Sequence, residues 1–383
     1  IVLSGVLQAH RRFLAAAAAP LLSSIVVIGV YLAYGAWVAP QAALDGTPRS
    51  AILLLAWGTT AGVVALSLPL LVPTWRAGVR LRPTLRFPGG AGRRVGTLAV
   101  AGLVAVGAQQ VTVLVTVWLA NTADGVGTLN VYTYAQTAYL LPYAVLAVPL
   151  ATAAFPRLTS EEATPVLRRT LLSVAVVGVA GAVALVAVRR EVGSLFRAID
   201  AGEGGAGEQA LQALPAALAG YSPGLVGLAL TALLSRALFA RGSAMAAGSA
   251  VALGWLLAAV VPLLVLTGST PTAGRALVTL GLGSSLGMSL SGILLLVLVR
   301  RSWGAGAVHG VWRPAGVALG GALLVLGLRE LIGGLDVSHP ATALASGALT
   351  ASAVLAAALF ALRAGAPVTY RDIVGRIQHR GVR

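Results

Sequence analysis

The sequence predicts an all-α, polytopic transmembrane helical bundle, and three observations support this fold class. Of the 383 residues, 58% are hydrophobic and only 10% are charged, and the mean hydropathy is +0.90. That composition excludes an ordinary soluble globular protein. Apolar runs of about 18 residues or more, long enough to cross a bilayer as helices, recur along the chain. Arginines cluster in the loops between these runs, as they do beside membrane-spanning helices.

Hydropathy predicts ten complete spans after an opening partial span at residues 1–9. The predicted spans are Pro20–Val38, Ala51–Val72, Val95–Ala120, Leu129–Phe155, Thr170–Val188, Leu214–Leu234, Ala244–Leu266, Ala276–Val299, Pro314–Leu328 and Ala341–Leu362. A short interfacial helix is predicted after Arg189, where apolar residues recur at helical spacing. Because the chain opens at Ile1 inside an apolar segment, we expect it to be a fragment that lacks N-terminal spans.

All 27 basic residues are arginines, and the net charge is +16. In a soluble chain this charge would suggest nucleic acid, but here the arginines flank apolar spans. The predicted partners are therefore anionic membrane lipids, with no nucleic acid. If the Arg11–Arg12 loop is cytoplasmic, alternation of the spans places most arginines inside and most acids outside. This pattern predicts a multi-pass protein of the plasma membrane with a cytoplasmic C terminus.

The stretch from Thr128 to Ser160 is a predicted span with a polar side. Tyr132, Gln136, Tyr139 and Tyr143 recur at i, i+4, i+7 and i+11, which places them on one helical face. Lipid would not satisfy such a face, so we expect it to line an interior cavity. For the tyrosines nearest the span end, Tyr132 among them, the alternative is an interfacial aromatic belt.

Further candidates for a substrate cavity are two adjacent amides and one arginine. Gln109 and Gln110 lie near the middle of a span and point about 100° apart, so they line a cavity or, alternatively, bond to neighbouring helices. Arg236 lies within a turn of an apolar run, where it anchors the span or reaches a lipid phosphate. No metal site is predicted from the four scattered histidines.

Three prolines are candidate hinges because each removes a backbone hydrogen bond from a helix. They are Pro142 and Pro149 in the polar span and Pro223 in a later one. The alternative interpretation of each proline is a static bend that improves packing.

The sequence holds no pattern typical of an enzyme. It contains no cysteine, and no acidic residue lies within a predicted span, so paired carboxylates, thiol nucleophiles and phosphate-cradling loops are all missing. We therefore predict no catalytic residues, no cofactor and no enzyme activity. The missing intramembrane acids also argue against proton or sodium coupling through a carboxylate in this portion.

Several motifs, in order and at characteristic spacing, resemble the MurJ (MviN) lipid II flippases of the MOP flippase superfamily. They are Arg12-Phe13 with Ala19-Pro20-Leu21-Leu22, Gly107-Ala108-Gln109-Gln110, Tyr134-Ala135-Gln136-Thr137, Leu141-Pro142-Tyr143, Ala147-Val148-Pro149-Leu150, Phe155-Pro156-Arg157-Leu158 and Tyr221-Ser222-Pro223-Gly224. The resemblance implies fourteen spans arranged as two six-helix lobes around a central cavity, plus two terminal helices. It also implies alternating-access transport of the undecaprenyl-pyrophosphate-linked peptidoglycan precursor in bacterial cell-wall biosynthesis.

With this resemblance, the Arg-rich loop between two groups of spans becomes the lobe boundary. We predict that residues 1–74 form the remainder of the N-terminal lobe and 75–94 a cytoplasmic connector. The C-terminal six-helix lobe then covers 95–300, and 301–383 holds two terminal transmembrane helices and a cytoplasmic basic tail.

The chain departs from the family where many members carry an Asp-Arg pair, since it has Gln136-Thr137 there. In the family that arginine belongs to a cationic cavity suited to pyrophosphate. Two alternative functions remain at this level. One is a drug or ion antiporter of the same superfamily. The other is a non-transporting or degenerate membrane scaffold, whose partners would be cell-wall synthesis proteins.

Overall fold

The computed structural model describes most of the chain, and every structural statement below concerns that part. The described ranges are 2–9, 13–38, 48–79, 91–125, 127–160, 163–200, 207–268, 270–331 and 340–365. The middle of the predicted connector (80–90) and the predicted basic tail (366–383) lie outside the described residues.

The described residues form helices joined by short loops. The helices are α1 (Val2–Ala9), α2 (Phe13–Trp37), α3 (Arg49–Ser67), α4 (Leu71–Arg76), α5 (Ala91–Thr122), α6 (Thr128–Pro142), α7 (Val148–Ala154), α8 (Ala163–Ala187), α9 (Arg189–Asp200), α10 (Glu208–Gln212), α11 (Leu214–Tyr221), α12 (Gly224–Ala240), α13 (Ala244–Leu266), α14 (Ala273–Trp303), α15 (Ala305–Val308), α16 (Trp312–Leu331) and α17 (Pro340–Gly365).

The predicted all-helical membrane fold is confirmed. In the described ranges, nine helical regions are long and apolar enough to cross a membrane, and α11 with α12, bent by 44°, makes a tenth. These regions follow the ten predicted spans in order, and α1 occupies the predicted partial span. The short helix expected after Arg189 is present as α9.

The chain divides into two compact units, Ile1–Pro88 and Gly89–Arg383, and the division falls within the predicted connector. In the first unit α2 packs on α3 at glycines: a Cβ added at Gly58 would lie 2.3 Å from Val30 Cγ1. In lipid, small residues permit such close approach, and dispersion contacts then stabilise the pair.

In the second unit α14 lies between several helices, because it packs against α11, α12 and α13. These contacts are also made through small residues. A Cβ added at Gly287 of α14 would lie 2.3 Å from the Gly254 carbonyl oxygen of α13. Helix α5 packs on α13, while α8 packs on α12, α16 and α17.

The spans of the second unit alternate in direction, and the loops at its two ends differ in charge. We call one the acidic end, since the acids of the described residues in this unit lie there. They are Asp124, Glu191, Asp200, Glu208 and Glu330. The acidic end also contains arginines and is held together by backbone pairing: the Asp124 N–H donates to Pro271 O at 2.9 Å, and Ala273 N–H donates to Asp124 O at 3.1 Å.

The opposite end is the arginine-rich end. Its arginines are Arg93, Arg94, Arg157, Arg168, Arg169, Arg236, Arg241, Arg300, Arg301, Arg313 and Arg363. The Arg241 guanidinium lies over the Trp303 ring, 4.2 Å from its centroid. The Trp303 indole N–H donates to the Ala237 carbonyl at 3.3 Å. This ring therefore joins the end of α14 to the end of α12 and holds a cation at the same place.

Candidate functional site

The polar span is an interrupted helix in the structure. It runs as α6 to Pro142, loosens into a π-helical turn over Tyr143–Ala147, resumes as α7 and ends in a 3-10 turn over Phe155–Thr159. A π-helical turn takes one residue more than an α-helical turn, so it rotates the residues that follow. Pro142 lies directly before this turn and Pro149 near the start of α7, so two of the predicted hinges adjoin the irregular backbone.

The polar stripe of α6 faces the interior of the second unit. Tyr139 is only 3% exposed, and its ring lies 5.1 Å from that of Tyr221 on α11. Tyr132 and Gln136 are half-buried, and the Gln136 side-chain amide donates to the Tyr132 hydroxyl at 2.8 Å. The Tyr132 hydroxyl also interacts with the side chains of Thr116 and Tyr221. The stripe therefore forms an aromatic and polar cluster between α5, α6 and α11.

Within this cluster the Tyr139 hydroxyl is buried and has no partner of hydrogen-bonding geometry among the described residues, although the Ser284 side chain lies near enough to interact with it. A buried hydroxyl without a hydrogen bond costs desolvation free energy. We therefore expect Tyr139→Phe to leave the free energy of unfolding unchanged or to raise it by about 1 kcal/mol.

The matched substitution Tyr132→Phe removes the acceptor of the Gln136 amide and should lower the free energy of unfolding by about 1 kcal/mol. Thermal unfolding in detergent, followed by tryptophan fluorescence, measures both. A larger loss for Tyr139→Phe than for Tyr132→Phe would contradict the assignment of hydrogen bonds in the cluster.

The rotation of α5 decides where the two adjacent amides point. Thr112 is buried and donates to the Trp255 carbonyl of α13 at 2.7 Å. A Cβ added at Gly248 of α13 would lie 2.5 Å from the Ala101 carbonyl oxygen, so the two helices touch there as well. These contacts turn Gln109 and Gln110 away from α13, and both are exposed in the structure.

Pro223 lies at the 44° bend between α11 and α12, where one side chain of α14 replaces a helical hydrogen bond. The Gly224 N–H donates to Ser285 Oγ at 2.9 Å, and that hydroxyl donates to the Gly220 carbonyl at 2.6 Å. In an unbroken helix Gly224 N–H would bond to Gly220 O directly. Ser285 therefore bridges the opened turn and satisfies both backbone groups.

The second carbonyl released at the bend is also satisfied. Because proline has no N–H, the Ala219 carbonyl loses its helical donor at Pro223. The Ser222 hydroxyl donates to it at 3.2 Å. The bend at Pro223 is thus built from paired polar groups, and that pairing suits either of the two predicted roles, hinge or static bend.

Arg236, the cationic candidate, is half-buried in the last turns of α12. Its guanidinium donates to the Ala232 carbonyl and lies close enough to Tyr143, at the π-helical turn, to interact with that hydroxyl electrostatically. The structure thus brings Arg236 to Tyr143 of the polar stripe, near the arginine-rich end. It does not bring Gln109 and Gln110 into the same group.

Sequence reasoning missed three polar side chains that complete these groups, namely Thr116, Ser284 and Ser285. Small hydroxyl residues inside spans usually bond to their own helix, so they gave no signal. Their partners, however, had been singled out from the sequence. Thr116 lies by Tyr132 and Ser284 by Tyr139 of the polar stripe, and Ser285 bonds within the Tyr221-Ser222-Pro223-Gly224 segment.

Two comparisons relate the chain to known proteins. The family model described as lipid II flippase MurJ matches residues 1–333. A solved structure of a lipid II flippase MurJ in an inward closed conformation is similar in fold, with a TM-score of 0.64 and 14% sequence identity. The match covers 97% of this chain and 71% of the solved one.

Proposed function

Because the chain belongs to the lipid II flippase MurJ family, we propose that it moves lipid II across the bacterial plasma membrane by alternating access. Lipid II is the undecaprenyl-pyrophosphate-linked peptidoglycan precursor named above. The family is one of transporters, and we propose that the chain catalyses no covalent reaction. Transport requires a polar path for the head group while the prenyl tail stays in lipid.

The observation that carries this proposal beyond family membership is the exposed pair Gln109 and Gln110 on α5. The rest of the exposed α5 face around them is apolar, with Leu103, Val106 and Leu114 among its residues. Two amides on a face toward lipid would lose their hydrogen bonds to water without compensation. We therefore assign this face to the head-group path, where sugar hydroxyls and water would satisfy the amides.

Two further elements complete the proposed path. The Tyr132, Gln136 and Tyr139 cluster supports the α6 side of the lobe, and Arg236 offers a cation for the pyrophosphate near the arginine-rich end. Many members of the family carry an Asp-Arg pair where this chain has Gln136-Thr137. The proposed cation for the pyrophosphate in this chain is Arg236. Pro142, Pro149 and Pro223 are the proposed hinges of the lobe.

The arginine-rich end is the proposed cytoplasmic end, since arginines are retained on that side of the membrane. That orientation makes the C terminus cytoplasmic. Arg241, held over Trp303, and the exposed Arg300 and Arg301 would then meet the anionic lipids of the inner leaflet. The division of the chain into 1–74, 75–94, 95–300 and 301–383 stays a prediction.

Complementation tests the proposal. In cells depleted of their own flippase, the chain should restore growth and bring the precursor to the outer leaflet. Gln109→Leu/Gln110→Leu should lower that supply about tenfold or more, because a difference of roughly 1.4 kcal/mol in binding the head group corresponds to that factor. Gln136→Ala should also lower it, because it removes the amide that bonds to Tyr132 in the supporting cluster. Gln212→Leu on α10, the same change outside the spans, is the control and should act like the unmodified chain.

Failure of the unmodified chain to restore growth, at normal membrane abundance, would remove the proposed function. Full activity of Gln109→Leu/Gln110→Leu would show that the head-group path does not run along this face of α5.

A further inference from the structure

The acidic end of the second unit contains a buried ion pair that no part of the transport path uses. Glu191, in the first turn of α9, is 4% exposed, and Arg329, in the last turn of α16, has a side chain that is 16% exposed. One guanidinium nitrogen of Arg329 donates to Glu191 Oε1, and the other donates to the Ala187 carbonyl at the end of α8. A cation at this position also complements the negative end of the α8 dipole.

A third helix reaches the same carboxylate. The Ser346 hydroxyl of α17 is buried and donates to Glu191 Oε1 at 3.1 Å. A Cβ added at the next residue, Gly347, would lie 3.7 Å from Glu191 Cβ. One side chain of α9 thus contacts both α16 and α17, which we call the terminal hairpin.

The rest of the interface between the terminal hairpin and α8 offers little to fix the position of the hairpin. The terminal hairpin packs on α8 through small apolar side chains. They are Val176, Ala180 and Val183 of α8, Ala318 and Ala322 of α16, and Val354, Ala358 and Ala361 of α17. In a bilayer the hydrophobic effect does not drive such helices together, because lipid tails are as apolar as the side chains. Alanine and valine also specify register weakly, since one turn can slide to the next at little cost.

A buried ion pair does specify register, because an unpaired charge in an apolar interface is costly. We propose that Glu191 is a positioning residue that fastens the terminal hairpin to α8 and α9, so that the hairpin moves with these helices as one body during transport. This inference rests on the proposed alternating-access function. Sliding of the hairpin along α8 would separate Glu191 from Arg329 while both remain in the interface, and each charge would lose its partner.

The neighbouring pair supplies a matched control. Arg190 Nη1 and Glu330 Oε1 lie 3.8 Å apart, and their side chains are 60% and 62% exposed. This pair joins the same two helices, one residue from the buried pair on each side. Because solvent screens it, Glu330→Ala should change the translocation rate by less than about twofold. Glu191→Ala should lower that rate about tenfold, and Glu191→Gln, which keeps the side-chain volume, should lower it in the same direction.

A reversible disulfide between α9 and α17 can distinguish a positioning role of Glu191 from a general loss of structure in the variant. The distance between the Cβ positions at 191 and 347 suits a disulfide, and the chain has no cysteine of its own. In Glu191→Cys/Gly347→Cys, oxidation by copper phenanthroline should restore translocation to within about twofold of the unmodified chain, since a disulfide holds the same contact. Dithiothreitol should return the variant to the Glu191→Ala rate.

Two transport results would overturn the proposal: an inactive oxidised pair, which would mean that the hairpin must separate, and an unimpaired Glu191→Ala. If the unmodified chain itself moves no lipid II, the proposed function is wrong, but the role of Glu191 can still be tested. Amide hydrogen exchange then reports whether Glu191 holds the terminal hairpin in place. Faster exchange in α17 for Glu191→Ala but not for Glu330→Ala supports it, and equal exchange overturns it.

Discussion

Replacing Gly227 by alanine should lower the free energy of unfolding by about 3 kcal/mol. Gly227 lies on α12 where the backbone of α14 approaches most closely, and a Cβ added there would lie 2.2 Å from the Met288 carbonyl oxygen. The obstacle is backbone, so no rotamer change can relieve it. On the other side of the contact, a Cβ at Gly292 would lie 2.9 Å from Gly227 Cα. The two helices must therefore move apart and lose contacts along their length.

The same substitution at Gly320 of α16 is the control, since nothing lies within 4 Å of a Cβ added there. In open space alanine is the better helix former, so Gly320→Ala should raise the free energy of unfolding by about 0.5–1 kcal/mol. The prediction is thus a difference in sign, read from thermal unfolding in detergent or from steric trapping in bicelles. A Gly227→Ala variant as stable as the unmodified chain would show that α12 and α14 do not pack this closely.

Ser285→Ala should lower the free energy of unfolding by about 2–4 kcal/mol, since it leaves a buried carbonyl at Gly220 and a buried N–H at Gly224 without partners. Either group alone would cost about 1–3 kcal/mol. The bend at Pro223 prevents the two groups from simply meeting each other. We also expect the bent region to exchange its amide protons faster, because the opened turn has lost its bridge.

Ser302→Ala on the same helix is the control. Ser302 is exposed, and its hydroxyl donates only within α14, to the Val299 carbonyl at 3.4 Å. Its removal should change the free energy of unfolding by less than about 0.5 kcal/mol. Equal losses for the two serines would mean that Ser285 does not bridge the broken helix.

Hydropathy was enough to predict the number and order of the spans. A span must bury about 20 apolar residues in lipid. Those residues are consecutive, so a short stretch of sequence is enough to recognise the span. The polar stripe of α6 was likewise predictable, because helical periodicity assigns residues to a face. Periodicity does not say what that face meets, and Tyr139 in the structure packs on Tyr221 in the interior of the unit.

The contacts that fix the helices were beyond prediction, because they join residues far apart in sequence. The Ser285 hydroxyl lies 61 and 65 residues from the backbone groups that it bridges. Glu191 lies 138 residues from Arg329, and in the sequence it reads as one more charge in an outer loop. It is buried only because α8, α16 and α17 pack together, and burial is what makes an ion-pair partner necessary.

The most direct test of the central claim is translocation of a fluorescent lipid II by the purified 383-residue chain in liposomes. A membrane-impermeant quencher reports which leaflet holds the head group. We predict that the chain exposes head groups from the inner leaflet faster than protein-free liposomes do, that Gln212→Leu leaves this rate unchanged, and that Gln109→Leu/Gln110→Leu lowers it about tenfold. A folded, reconstituted chain that moves lipid II no faster than bare lipid would contradict the account.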